Sequence, residues 1–255
     1  MSTPSLETRN LTIRFGGHVA VNNVSCAFRP GELTAIVGPN GAGKTTWFNL
    51  VSGQLAPSQG SVLKDGRDIT ALSPSGRVKA GIGRAFQLTS LFPKLSVLEN
   101  VRLAVQARQG IGPRFFRSTS AFPRLAQEAR AHLVATRLER VMHLPVHALP
   151  HGDQRKLEVA MMLALEPDIL MFDEPTAGMS ADEAPVILEL IAEIKKDASR
   201  TILLVEHKMD VVRALADRIV VLHNGELVAD GEPEAVIALP VTREIYLGIP
   251  AEADA

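Results

Sequence analysis

The stretch "GPNGAGKTT", residues 38–46, places Gly38, Gly43, Lys44 and Thr45 in the spacing G-x-x-x-x-G-K-T. That spacing suits polyphosphate chemistry. Glycines (Gly38, Gly41 and Gly43, with Pro39, Asn40 and Ala42 between them) let the backbone curl so that its N–H groups face an anion. A helix starting at this point adds positive potential. Lys44 suits the β- and γ-phosphates, and the Thr45 hydroxyl, followed by Thr46, suits Mg²⁺. A second group lies in "ILMFDEP", residues 169–175, where four apolar residues run into Asp173 and Glu174. Alone, two acids at a strand end read as solvated surface. With a phosphate loop upstream, they become a Mg²⁺ ligand (Asp173) and a base for an attacking water (Glu174). His207 closes "TILLVEH" and belongs to the same rim, within reach of a terminal phosphate or the water.

A third stretch, "ALPHGDQRKLEVAMML", is part turn and part helix. Leu157, Ala160, Met161, Ala164 and Leu165 form one apolar helical stripe. Ahead of it, Gly152 permits a turn and Asp153 complements the dipole of the helix.

These residues need a scaffold that brings strand ends together. "LETRNLTIRF", "VAVNNVSCAF" and "ELTAIVG" read as strands, and "GSVLKDGRDI" as a hairpin turning at "KDG". A helix is expected within "GAGKTTWFNLVSG", stopping at Gly53. Residues 88–148 differ in kind. "SVLENVRLAVQARQG" and "RLAQEARAHLVATRLERVMHL" are helical by period, and the segment between them carries Phe115 and Phe116. After this insert, strands and helices alternate: "DILMFDE", "ADEAPVILELIAEIKKDA", "RTILLVEH" and "MDVVRALA", then a hairpin turning at Asn224–Gly225. Buried strands alternating with helices predict a parallel sheet covered on both faces.

Composition narrows the class. The 255 residues suit one large domain or one domain with an inserted subdomain, and a hydrophobic fraction of 46% is enough for a real core. Lys plus Arg is 27 against 28 for Asp plus Glu, so net charge gives no reason to expect nucleic acid. The lone Cys26 excludes an internal disulfide framework, fits a reducing compartment and reads as a buried inert thiol. The first residues, "MSTPSLETRNL", show no basic-then-apolar leader, and no apolar run approaches the roughly 18 residues of a membrane span. Membrane association is therefore expected through a partner.

Taken in order, the motifs resemble those of the nucleotide-binding subunit of an ABC transporter along almost the whole chain. "GPNGAGKTT" is similar to its Walker A loop, "ILMFDE" to Walker B with the catalytic glutamate, and "VEH" to the switch histidine. Gln87 in "RAFQ" resembles the Q-loop glutamine, and Phe15 in "IRFGG" the aromatic that stacks on adenine. "LPHGDQ" (Leu149, Pro150, His151, Gly152, Asp153 and Gln154) stands where the LSGGQ signature belongs. The resemblance implies an α/β fold, a P-loop cassette with a RecA-like parallel-sheet core, an N-terminal antiparallel β subdomain and an inserted α-helical subdomain. It implies one ATPase domain over 6–250, with 6–87 and 155–247 as core and β subdomain and 88–154 as the helical subdomain. It implies Glu174 and His207 as catalytic residues, and Mg²⁺ held near Thr45, Gln87 and Asp173. ATP would be sandwiched between two such subunits, each completing the other's site with its signature.

Within the superfamily, "RFGGHVAVNNVS", "GIGRAFQLTSLFPKLSVLENV", "DEPTAGMS", "LLVEHKMDVV" and "REIYLG" resemble the LivG type of branched-chain amino acid importers. This implies transmembrane permease subunits, a LivF-like second cassette or a second copy, and indirectly a periplasmic binding protein. It places the chain on the cytoplasmic face of a bacterial inner membrane. Importers of urea, short amides or aromatic acids are alternatives. A lipopolysaccharide-type exporter cassette and a soluble ABC ATPase fit less well. Two positions depart from the general pattern: Pro150 replaces the signature serine, and Ser180 the D-loop aspartate.

Overall fold

The computed structural model describes residues 3–85, 91–111 and 123–247. Gln87, Phe115 and Phe116 lie outside them. Two compact units emerge: Met1–Ile82, Asp168–Glu174 and Ala192–Ala255 form the first, and Gly83–Pro167 with Pro175–Ile191 the second.

In the first unit, β1 (Leu6–Phe15) pairs antiparallel with both β2 (His18–Phe28) and β4 (Gln59–Lys64). With β5 (Arg67–Asp68) they form a sheet in the order β2-β1-β4-β5. The β4–β5 turn falls at Asp65–Gly66, where both residues have positive φ, as the expected hairpin requires. The second sheet runs β10-β9-β3-β8-β7-β6, with β3 (Leu33–Val37), β6 (Ile82–Ala85), β7 (Ile169–Asp173), β8 (Thr201–Val205), β9 (Arg218–His223) and β10 (Glu226–Gly231). β3 is parallel to β8 and β9, and β7 to β8, while β10 returns antiparallel through Asn224–Gly225. Every residue of β3, β7 and β8 is buried, the burial that continuous apolar strands predict.

Helix α1 (Lys44–Val51) presses Trp47, Phe48, Leu50 and Val51 into the main core, and Trp47 packs on Phe28 with centroids 5.6 Å apart. Its C-terminal end is held by an unexpected residue. Arg77, in the short α2 (Pro74–Lys79), is only 1% exposed. Its guanidinium donates to the carbonyls of Leu50 and Val51 and, at 3.0 Å, to that of Thr70. A cation on the last carbonyls of a helix meets the negative end of the dipole and satisfies orphan acceptors. Burial nevertheless pulls this guanidinium down to about 10, with Asp68 opposing the shift. Arg77→Met keeps most of the volume and loses these bonds. We expect it to destabilise the chain by about 3 kcal/mol, seen as a melting temperature lower by roughly 6–12 °C. An unchanged thermal transition would show that the cap contributes nothing. Cys26 is buried, as expected, and burial pushes its thiol up to about 12.

The second unit is built on α3 (Val97–Arg108), α4 (Pro123–Ala135) and α5 (His151–Ala164), whose apolar faces share one cluster around Val101, Val105, Leu133 and Leu157. The stripe read on α5 is its contribution: Leu157, Ala160 and Ala164 are fully buried, and Met161 and Leu165 pack against them. The helix expected over "RLAQEARAHLVATRLERVMHL" stops at Ala135. Arg137 takes a left-handed φ of 59°. Its N–H bonds the Val134 carbonyl at 3.0 Å, and the N–H of Leu138 bonds that of Leu133 at 2.8 Å. This is a Schellman stop, closed by contact of two fully buried leucines, Leu133 and Leu138. Beyond it, only 3-10 turns at Glu139–Val141 and Val146–Ala148 lead into α5. The remaining helices among the described residues are α6 (Ala184–Lys195), α7 (Met209–Leu215), α8 (Pro233–Ala238) and α9 (Pro240–Leu247). Among the described residues, no helix is long and apolar enough to cross a membrane.

Candidate functional site

The loop between β3 and α1 adopts the geometry that its spacing predicts. Gly38, Gly41 and Gly43 all have positive φ, and Gly43 is the N-cap of α1. Two of these glycines cannot be replaced cheaply. A Cβ on Gly38 would lie 2.2 Å from the Leu222 carbonyl oxygen, and one on Gly43 would lie 2.5 Å from that of Ala20. β9 and β2 thus clamp the loop from two sides. The α1 N-terminus carries no side-chain cap and no acidic residue in its first turn. Its orphan N–H groups and positive dipole end suit an anion. Lys44 is 5% exposed, and its Nζ donates to the carbonyls of Gly38 at 2.8 Å and Pro39 at 2.9 Å. Burial lowers its pKa, while the Glu174 and Asp173 carboxylates pull the other way. An ammonium held between loop carbonyls and two acids is charge chemistry suited to phosphates. Thr45 and Thr46 follow, both half-buried.

The acids arrive where the strand order brings them. β3, β8 and β7 are neighbours and parallel, so the loops leaving their C-terminal ends share one edge of the sheet. Asp173, the last residue of β7, is 7% exposed. Glu174 follows in a left-handed conformation, φ 49°, with its N–H on the Val205 carbonyl at 3.0 Å. That φ is uncommon for a residue with a Cβ, and a main-chain bond to the neighbouring strand holds it there. Its Oε1 lies 2.7 Å from His207 Nε2. Both side chains remain more than a third exposed, open to a reactant. Glu206, 3% exposed, accepts the N–H groups of His207 at 2.7 Å and Lys208 at 3.2 Å, bracing the turn that aims the imidazole. Phe15 closes β1 with half its surface exposed.

The signature turn belongs to the second unit. α5 begins at His151 after Pro150, which supplies no side-chain cap. Asp153, expected to answer the dipole, also pairs with Lys156 at 2.8 Å. Gln154 donates from its side chain to the Leu149 carbonyl at 3.0 Å, tying the turn together. The cap comes from a residue that motif reading missed. Glu183 Oε1 accepts the Gly152 N–H at 3.2 Å, and its Oε2 takes the N–H and hydroxyl of Ser180 at 3.2 and 3.0 Å. Ser180 and Glu183 have the S-x-x-E spacing of a capping box ahead of the apolar run of α6, so a local signal existed. The reach across to Gly152 had none.

Phosphate loop, acidic strand end and facing histidine on one parallel-sheet edge define a P-loop nucleoside triphosphatase. Comparison with known proteins narrows this. Residues 21–177 match the ABC transporter family, and the chain belongs to it. The high-affinity branched-chain amino acid transport ATP-binding protein LivG of Salmonella typhimurium is 40% identical over 256 residues, covering 97% of this chain and 99% of that protein. A solved ADP conformation of an ATP-binding cassette of an ABC transporter matches with a TM-score of 0.83 at 27% identity, covering 97% of this chain and 100% of that one. A dimeric cassette in a post-hydrolysis state, bound to ADP and phosphate, matches with a TM-score of 0.75 at 27% identity, covering 89% of this chain and 98% of that one. The chain is an ATP-binding, ATP-hydrolysing cassette.

Proposed function

We propose that this cassette drives an importer of branched-chain amino acids from the cytoplasmic face of the membrane, bound there through transmembrane permease subunits. The observation that carries the reading is its 40% identity to LivG along nearly the entire length of both chains. A LivF-like cassette is the proposed second subunit, with a second copy of this chain as the alternative. The dimeric relative bound to ADP and phosphate supports such a pair.

In this reading Phe15 stacks on adenine, and the loop from Gly38 to Thr46 wraps the phosphates. Lys44 swings its ammonium from the Gly38 and Pro39 carbonyls toward the β- and γ-phosphates. Thr45 and Asp173, with Gln87, are the proposed Mg²⁺ holders; the acids beside Lys44 fit that charge. Mg²⁺ held by these residues would supply Lewis-acid neutralisation of the charge that develops on the leaving group. Glu174 accepts a proton from the attacking water, and His207, donating from Nε2, keeps the carboxylate aimed. The turn from Leu149 to Gln154 meets the γ-phosphate of ATP held by the partner chain. There, backbone N–H groups and the α5 dipole act without the usual serine hydroxyl.

The test is the complex purified with its permease subunits, reconstituted, and supplied with the cognate binding protein. ATP turnover should rise several-fold when that protein carries Leu, Ile or Val. Stimulation by urea or an aromatic acid instead would replace the substrate class, and failure to co-purify any permease would remove the importer reading.

A further inference from the structure

The α5 N-terminus already holds an anion supplied by its own chain. Gly152 is the second residue of α5, and its N–H is one of the orphan donors that a serine at position 150 would ordinarily cap. Pro150 has no such group, and Glu183 takes the donor from 31 residues away. The fit is close. A Cβ on Gly152 would lie 2.7 Å from Glu183 Oε1, so a larger residue there would push the carboxylate off its present seat on the helix end. The other carboxylate oxygen anchors on Ser180, the position where the general pattern has an aspartate. The two departures from that pattern are therefore joined by one side chain. An aspartate at 180 would repel Glu183, and a serine at 150 would compete with it for the α5 amides.

We propose that Glu183 is a built-in competitor for the partner's phosphate: its carboxylate occupies the Gly152 amide and must be displaced before the signature surface can engage ATP. The inference rests on the reading that α5 points its N-terminus at the partner's nucleotide. Two like-charged anions cannot share one helix end, so phosphate docking and the Glu183–Gly152 bond exclude each other. Displacement is local. Glu183 is only half-buried, and Ser180 offers two donors to which it stays attached when it lets go of Gly152. The ATP concentration at which the pair closes is thereby raised, and resting hydrolysis restrained. Glu183 acts as a positioning residue, with no part in the chemical step.

The reconstituted complex decides the matter through its KM for ATP. Glu183→Ala removes both charge and acceptor; Glu183→Gln removes only the charge. Competition depends on charge, so both variants should lower KM by ~2- to 5-fold, the usual worth of an anion at a helix N-terminus, and the effect should shrink in high salt. If Glu183→Gln behaves as wild type while Glu183→Ala loses activity, the side chain is a structural brace and the proposal fails. An unchanged or raised KM in both variants also overturns it. Gly152→Asp separates this from the reading beneath. It fixes a carboxylate at the helix end and should abolish most turnover. Wild-type turnover in Gly152→Asp would mean that α5 meets no phosphate at all.

Discussion

Glu174→Gln should lower ATP turnover by about 10²- to 10⁴-fold, the range that a positioned general base contributes, while the ATP-bound pair accumulates. The substitution is clean because of the local geometry. The side-chain carbonyl of Gln keeps an acceptor for His207 Nε2, 2.7 Å from Oε1 in the native chain. The backbone restraint, an N–H on the Val205 carbonyl at 3.0 Å, does not involve the side chain. Shape, volume and the left-handed φ of 49° are kept, and only basicity is lost. ATP still binds, because Lys44 and the glycine loop are untouched. Turnover of the complex, together with the mass of the ATP-bound species by light scattering, checks both halves of the expectation. Turnover within tenfold of wild type would remove Glu174 from the role of base.

Lys44→Ala acts one step earlier. A buried ammonium that bonds two loop carbonyls is positioned to transfer those bonds to phosphate oxygens. Each hydrogen bond to a charged group is worth about 1.5–3 kcal/mol, so ATP affinity should fall by roughly 10- to 100-fold or more. The loss also leaves Asp173 and Glu174 without the cation that faces them, which adds repulsion against an incoming triphosphate. Lys44→Arg should not rescue binding, because a planar, forked guanidinium does not match a site built around a point charge. Fluorescent nucleotide binding to the full chain measures the effect, with the thermal transition as a control for folding. Wild-type affinity in Lys44→Ala would show that the loop amides alone hold the nucleotide.

Much of the scaffold was legible because its signals are local. Both hairpin turns, Asp65–Gly66 and Asn224–Gly225, follow from residue pairs that tolerate positive φ. The apolar runs of β3, β7 and β8 could only be buried strands of a covered sheet. The α4 boundary was missed because its stop has an arginine, not a glycine, in the left-handed position. The contact of Leu133 with Leu138 stabilises it, and periodicity does not register that contact. β6 gave little warning, since "IGRA" is short and contains a glycine.

By itself the sequence determined the phosphate loop, the strand that carries the acids and the family pattern. The reason is that those features are set by residues within a few positions of each other, where backbone curvature and side-chain reach depend on spacing alone. Only the tertiary structure decided which side chains meet. Glu174 finds His207 because β7 and β8 lie side by side and parallel. Arg77 reaches the end of α1 by folding under it. Glu183 crosses 31 residues to the helix that Pro150 leaves uncapped. Hydrogen bonds are short-ranged, so pairings between chain-distant groups exist only once strand order and helix packing have fixed their positions. In this way an ordinary-looking glutamate became the partner of the amide at Gly152.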